Sequence, residues 1–332
     1  MIAIQKPHKM AHTSTAPPQF PRFAAWWSTP WMITFARYFK QDIFTTDRTK
    51  QCLQVRLNFE KLQLRDPDAT GACKSDYLQV LFMLVNFYIT LILKVTGGVS
   101  GSNIPTLCGN LAGQHVIYSA IPNFPARLSV VVDTQMAGVN REWQIKILQY
   151  ECDSPALAPE GCLQYFTGIS GNVSSFNWNT MDNVNLATAS NHLANLDYSI
   201  CLRRESGYCA VEWGVTPPAD TQLGYFSLTG TLPAAAPIPV ADAKNGDADC
   251  TTDFVTIPGG TGGTDPTSLP KDRYCGQALA YCPDTACTAL VIGPVKSAVT
   301  PFTLGVFSDA TEPTTDTQNR GFNLMYRQQP CS

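Results

Sequence analysis

Charge is scarce in this chain. Only 15% of its 332 residues are Asp, Glu, Lys or Arg, against about a quarter in an average soluble protein. Together with 23 glycines and 24 prolines, that scarcity excludes a coiled coil, a helical bundle and a charged disordered chain. A formal charge of −3 at pH 7 leaves no basic excess for nucleic acid. Histidine is scarcer still: His8, His12, His115 and His192 are the full set. No C-x2-C pair stands near any of them, which excludes the common zinc spacings. No serine sits in Gly-Asp-Ser-Gly or Gly-x-Ser-x-Gly, and no zinc-protease motif or phosphate-cradling loop occurs. The glycine-rich run Gly259-Gly260-Thr261-Gly262-Gly263 is followed by neither a helix pattern nor a lysine of the required kind, and reads as a turn. His115 enters a strand pattern and reads as a structural or surface histidine. A nucleophile with an oriented base is therefore missing, and the chain is expected to be no enzyme.

Cysteine, by contrast, is abundant. Twelve cysteines run from Cys52 to Cys331, more than a reduced cytosolic protein of this size carries, which points to disulfides and an oxidising, extracellular compartment. The sequon Asn172-Val173-Ser174 offers a glycosylation acceptor at Asn172. The start, MIAIQKPHKMAHTSTAPPQFPRF, has no apolar h-region and no small-residue cleavage site. Short alternating runs between Gly, Pro, Asn and Asp predict antiparallel strands throughout, and the length suits about two domains.

An internal repeat fixes the domain count. Cys73-Lys-Ser-Asp76-Tyr-Leu-Gln-Val and Cys250-Thr-Thr-Asp253-Phe-Val-Thr-Ile share one alternating pattern. Leu107-Cys108-Gly109-Asn110 then faces Tyr274-Cys275-Gly276-Gln277, and the strand ending in Asp133 faces the strand ending in Asp309. Arg141-Glu-Trp143 through Cys152 faces Arg320-Gly-Phe322 through Cys331, and Cys52-Leu-Gln-Val faces Cys209-Ala-Val-Glu. Two homologous β domains follow.

The first copy carries fifteen extra residues, Leu81 to Val95, reading LFMLVNFYITLILKV. As a helix they span about 22 Å, short of a hydrocarbon core of about 30 Å. The favoured reading is an apolar insertion into the repeat, with a short membrane span and a buried hairpin as the alternatives.

The run Cys-x-x-Asp-aromatic, Leu-Cys-Gly, strand-Asp and Gly321-Phe322-x-x-x-Tyr326 resembles the CUB domain of complement proteases, developmental metalloproteases and spermadhesins. Gly161-Cys162-Leu-Gln-Tyr-Phe-Thr-Gly168, His192-Leu-Ala-Asn195, Asn319-Arg320-Gly321 and Tyr326-Arg327-Gln-Gln-Pro-Cys331 further resemble secreted arthropod proteins with tandem CUB-like domains. The resemblance implies an all-β chain of two CUB-like antiparallel β-sandwich (jelly-roll) domains. The first spans 45–151 with the insertion at 81–95, and the second spans 152–332. Residues 1–44 read as an atypical segment foreign to the fold, so the first domain is expected to be amino-terminally incomplete, which would also explain the missing leader.

The same resemblance implies disulfides Cys73–Cys108 and Cys250–Cys275. Cys201 and Cys209 flank a length that a hairpin bridge could close, with Cys162–Cys201 as the competing pairing. Cys282 and Cys287 could pinch a loop, and Cys52 and Cys152 are left without evident partners. In many CUB domains the equivalents of Asp253 and Asp309, or of Asp76 and Asp133, bind Ca²⁺ with an earlier acid. That acid would be Asp249 or Asp247 in the second copy and Asp66 or Asp68 in the first. The competing reading is that these aspartates end strands and satisfy turn amides. Trp143, Trp178, Trp213, Arg203 and Arg204 are candidate binding anchors, with Trp143 and Trp213 favoured as core. The expected function is secreted, non-catalytic recognition of an extracellular protein or glycan, with a membrane-tethered ectodomain anchored through 81–95 as the alternative.

Overall fold

The computed structural model describes residues 3–5, 13–15, 38–42, 53–86, 89–94, 104–120, 126–133, 140–151, 153–178, 191–215, 224–231, 238–262, 269–282, 290–310 and 319–331. They are β-strands and connections, with a single turn of 3₁₀ helix at Val240–Asp242 among the described residues. The chain divides into two compact units, Met1–Asp66 with Cys73–Glu160, and Pro67–Ala72 with Gly161–Ser332.

The first unit holds β1 (Ala3–Gln5), β2 (Thr13–Thr15), β3 (Tyr38–Asp42), β4 (Leu53–Gln63) and β5 (Tyr77–Asn86). It continues with β6 (Ile89–Lys94), β7 (His115–Ala120), β8 (Ala126–Asp133) and β9 (Glu142–Glu151). One sheet runs β1-β9-β4-β7, with β2 also on β9, and a second runs β3-β8-β5-β6. Alternation explains which faces are buried. On β4, Val55, Leu57 and Phe59 point into the core, and a register shift between Phe59 and Lys61 lets Leu62 return to it. Trp143, Ile145 and Ile147 do the same from β9.

The apolar insertion is laid out as strand over Leu81–Asn86 and Ile89–Lys94. β5 begins as the repeat strand against β8, from Tyr77↔Val131 to Phe82↔Ala126, and runs without a break into the apolar segment. It then folds back as β6, paired from Leu81↔Lys94 to Asn86↔Ile89. The backbone of 81–86 and 89–94 is thus a strand pair at a sheet edge. Among the described residues no helix is long and apolar enough to cross a membrane.

The second unit comprises β10 (Cys162–Phe166), β11 (Ser170–Ser174), β12 (Asp197–Leu202), β13 (Tyr208–Gly214), β14 (Phe226–Ser227), β15 (Ala243–Asn245) and β16 (Phe254–Gly262). After these come β17 (Lys271–Gly276), β18 (Ala280–Tyr281), β19 (Val291–Ile292), β20 (Val295–Ser297), β21 (Thr303–Phe307) and β22 (Gly321–Pro330). Its main order is β10-β12-β21-β16-β20-β13-β22-β11. Pairing is antiparallel with two exceptions among the described strands, β10 on β12 and β1 on β9.

β16 connects two layers, one of β10, β12, β21, β17 and β15 and the other of β20, β13, β22 and β11. Phe254–Thr256 pair with β21, whereas Thr261 and Gly262 pair with β20. The register shifts between Thr256 and Gly260, the kind of bend by which a strand switches sheets. The glycine-rich run therefore serves as strand and corner, a correction to the expected turn. A Cβ on Gly260 would lie 2.3 Å from the Tyr274 hydroxyl, and one on Gly262 would lie 2.3 Å from the Tyr281 ring. Bare backbone is required there so that the tyrosines can pack against it.

Candidate functional site

The cysteines brace the second unit by tying neighbouring strands within each layer. Cys162–Cys201 joins the parallel neighbours β10 and β12, Cys250–Cys275 ties the entry of β16 to β17, and Cys209–Cys331 clamps β13 to the end of β22. In the first unit Cys73 is bonded to Cys108. The hairpin bridge Cys201–Cys209 does not form. β12 carries Cys201 beside β21, and β13 carries Cys209 beside β22, so the two thiols lie in different layers although seven residues separate them in sequence. Cys282 is oxidised, while Cys52, Cys152 and Cys287 lie outside the described residues.

The strand aspartates repeat one hydrogen bond. Asp76 Oδ1 accepts the backbone N–H of Asp133 at 2.9 Å, and Asp253 Oδ1 accepts that of Asp309 at 3.0 Å. Beyond that bond the two copies part. In the first, Arg141 donates through Nε to Asp76 Oδ2 at 2.7 Å and through Nη2 to the Asp133 carbonyl at 3.0 Å. The Arg65 N–H also reaches Asp76 Oδ2, at 3.1 Å. A guanidinium and two backbone amides thus surround the buried Asp76 carboxylate, and the positive charge it needs is already supplied. In the second copy Asp253 is 1% exposed, the Thr252 side chain also bonds to its carboxyl, and its Oδ2 has no hydrogen-bond partner among the described residues. Burial pushes this carboxyl above its usual range, opposed by the nearby His192 and by the Asp309 amide.

The remaining acids do not gather around these two. Asp68 caps its own turn, accepting from the N–H groups of Thr70 and Ala72 and from the Thr70 hydroxyl. Asp247 pairs with Arg273 at 3.1 Å, and Asp249 is exposed. Among the described residues no three His, Cys, Asp or Glu side chains converge on a point. A three-carboxylate Ca²⁺ site does not fit the first unit, where Arg141 takes the cation's place. In the second unit the fit reaches one orphaned oxygen.

Several motif residues turn out to stitch the interior. His192 is 2% exposed, its ring nitrogens 3.2 Å from the carbonyls of Leu193 and Leu228, and its N–H donates to the Asn319 carbonyl. Ser227 and Gln277 both bond to Asn319 Oδ1, at 2.9 and 2.7 Å. The Arg320 guanidinium lies 5.3 Å over the Trp178 ring, whose Nε1 donates to the Gly224 carbonyl. Trp178 is therefore an internal contact, as are Trp143 and Trp213, and only Arg203 and Arg204 of the candidate anchors are exposed. Asn172 is exposed on β11, which pairs with β22.

Sequence reasoning passed over a cleft beside β15, with a volume of about 670 Å³. Its walls include Val240, Ala243 and Leu290, and Lys244, Lys271 and Asp249 stand around it. Lys244 and Lys271 lie on either side of β16 in sequence and belong to no motif that could have marked it.

A model of the animal CUB domain matches residues 159–329, more than half of the chain. The chain belongs to the animal CUB domain family. Among solved structures it is similar to the CUB1-EGF-CUB2 domain of human MASP-1/3, at 13% identity over 96% of this chain and 99% of that one. The TM-score is 0.26, and a likeness of that size adds nothing to the family assignment. A comparison with curated proteins returned no match.

Proposed function

We propose that this chain is a secreted, non-catalytic recognition protein that binds a protein or glycan partner outside the cell, and that its first unit is a diverged second copy of the same module. The observation that carries the reading is the family match over 159–329 on a unit braced by Cys162–Cys201, Cys209–Cys331 and Cys250–Cys275. CUB domains are generally extracellular binding modules, and disulfides of this density belong to oxidising compartments. The shared aspartate-to-amide hydrogen bond of Asp76 and Asp253 supports the second copy. The edge pairing of β5 and β6 favours secretion over a membrane tether through 81–95.

Calcium enters as a narrower proposal, confined to the second unit and supported by the orphaned Asp253 Oδ2. Calorimetric titration of the full chain with CaCl₂ is expected to give heat that Asp253→Asn removes. Heat retained in that variant, or no heat at millimolar Ca²⁺, ends the proposal.

The recognition reading is tested with full-length protein secreted from animal cells behind an added leader. Saturable binding to extracellular matrix proteins or glycans, abolished by disulfide reduction, is the expected result. Turnover of peptidase or glycosidase substrates by the same material, without such binding, contradicts it.

A further inference from the structure

We infer that the cleft beside β15 receives an acidic peptide segment of a protein partner, its carboxylates on Lys244 and Lys271 and an aliphatic side chain against Val240 and Leu290. The inference rests on the recognition reading above and narrows it to one kind of partner.

The charges around the cleft are unevenly satisfied. The Asp247 carboxylate is matched by Arg273, which is itself held by the Cys250 carbonyl and the Phe254 ring. Among the described residues neither the Lys244 nor the Lys271 ammonium has a hydrogen bond or ion pair. Among the described residues two unmatched cations thus face one unmatched lining carboxylate, that of Asp249, which leaves this lining with an excess of positive charge. Lys244 lies on β15 and Lys271 opens β17, strands held side by side by Ala243↔Gly276, Lys244↔Cys275 and Asn245↔Tyr274. Gly246 adopts φ +89°, and a Cβ there would come within 3.8 Å of Lys271 Nζ. The stem of Lys271 therefore runs beside the Gly246 backbone, and both line the cleft.

The walls choose between kinds of anion. Val240, Ala241, Ala243 and Leu290 are aliphatic, and the lining has no aromatic ring. A pyranose finds no flat π-face to stack on, whereas a Leu, Ile or Val side chain finds apolar surface. Val240 is 45% exposed, so apolar area remains to be covered by a ligand. Carboxylates alternating with aliphatic side chains match both features.

The test is fluorescence anisotropy of the full-length chain with a labelled decapeptide of alternating Glu and Leu. A Gln–Leu decapeptide and labelled heparin serve as the comparison probes. The Glu–Leu peptide is expected to bind with an affinity that falls as salt rises. K244Q/K271Q should weaken it about tenfold, in line with two partly exposed ion pairs, and K244R/K271R should retain it. Circular dichroism and non-reducing mobility of the variants confirm that the fold is intact. No binding of the Glu–Leu peptide overturns the inference. So does equal binding by wild type and K244Q/K271Q, or a lysine-dependent response to heparin alone. If K244Q/K271Q also keeps full saturable binding to extracellular proteins, the cleft assignment fails while the recognition reading stands.

Discussion

Replacing Asp76 by alanine removes the carboxylate around which one end of the first unit is organised. Its side chain has no solvent exposure, and Arg141 is 17% exposed. The change strands a guanidinium and two backbone donors, the N–H groups of Arg65 and Asp133. Breaking a buried ion pair from one side costs about 3–5 kcal/mol, and Arg141's partial access to water places this case near the lower figure. With a urea m-value of about 2 kcal/mol/M, a loss of about 3 kcal/mol moves the midpoint down by about 1.5 M. The assay is urea unfolding of the disulfide-intact chain, read by hydrogen exchange in β4 and β9. The double variant D76L/R141M removes both charges together and should recover more than half of the loss. A midpoint for D76A within about 0.3 M of wild type would show that Asp76 does not hold this end of the unit.

Burial raises the Asp253 carboxyl above its ordinary value, so the folded chain holds that proton more tightly than the unfolded one. Its contribution to stability is fully present below the unfolded value near 4 and is lost as pH rises through the raised folded value. Asp253→Asn keeps the acceptor for the Asp309 N–H and should flatten that decline in thermal unfolding between pH 4 and neutrality; an unchanged slope contradicts the assignment. Cys209–Cys331 closes a loop of 122 residues, and C209S/C331S should lower stability by about 4–5 kcal/mol on the chain-entropy account, measured by denaturant unfolding. Gly260→Ala places a methyl against the Tyr274 hydroxyl and Val295 and should cost about 1–3 kcal/mol, whereas a neutral result would mean that the β16 corner yields.

What could be read from the sequence was local and periodic. β9 and β22 carry their buried residues at every second position, so Trp143, Ile145, Ile147, Phe322, Leu324 and Tyr326 were visible as core faces. What could not be read was which strands share a layer. Spacing alone allowed Cys201 to reach Cys209, and only the assignment of β12 to β21 and of β13 to β22 separates them. The same gap hid Arg141, 65 residues from Asp76 in sequence, as the partner that occupies an expected calcium ligand. The apolar run at 81–94 has no period long enough to choose between helix and strand; Leu81 and Phe82 continue the pairing with β8, and β5 then pairs with β6. The glycine-rich run 259–263 resembles a turn because nothing in the sequence shows that Tyr274 and Tyr281 need the space above Gly260 and Gly262.

The most direct measurement is a non-reducing peptide map of full-length protein secreted from animal cells, because the account rests on an oxidised cysteine framework that ties neighbouring strands. It predicts linked peptides for Cys73–Cys108, Cys162–Cys201, Cys209–Cys331 and Cys250–Cys275. A Cys201–Cys209 link, or these eight cysteines recovered as free thiols, would contradict it.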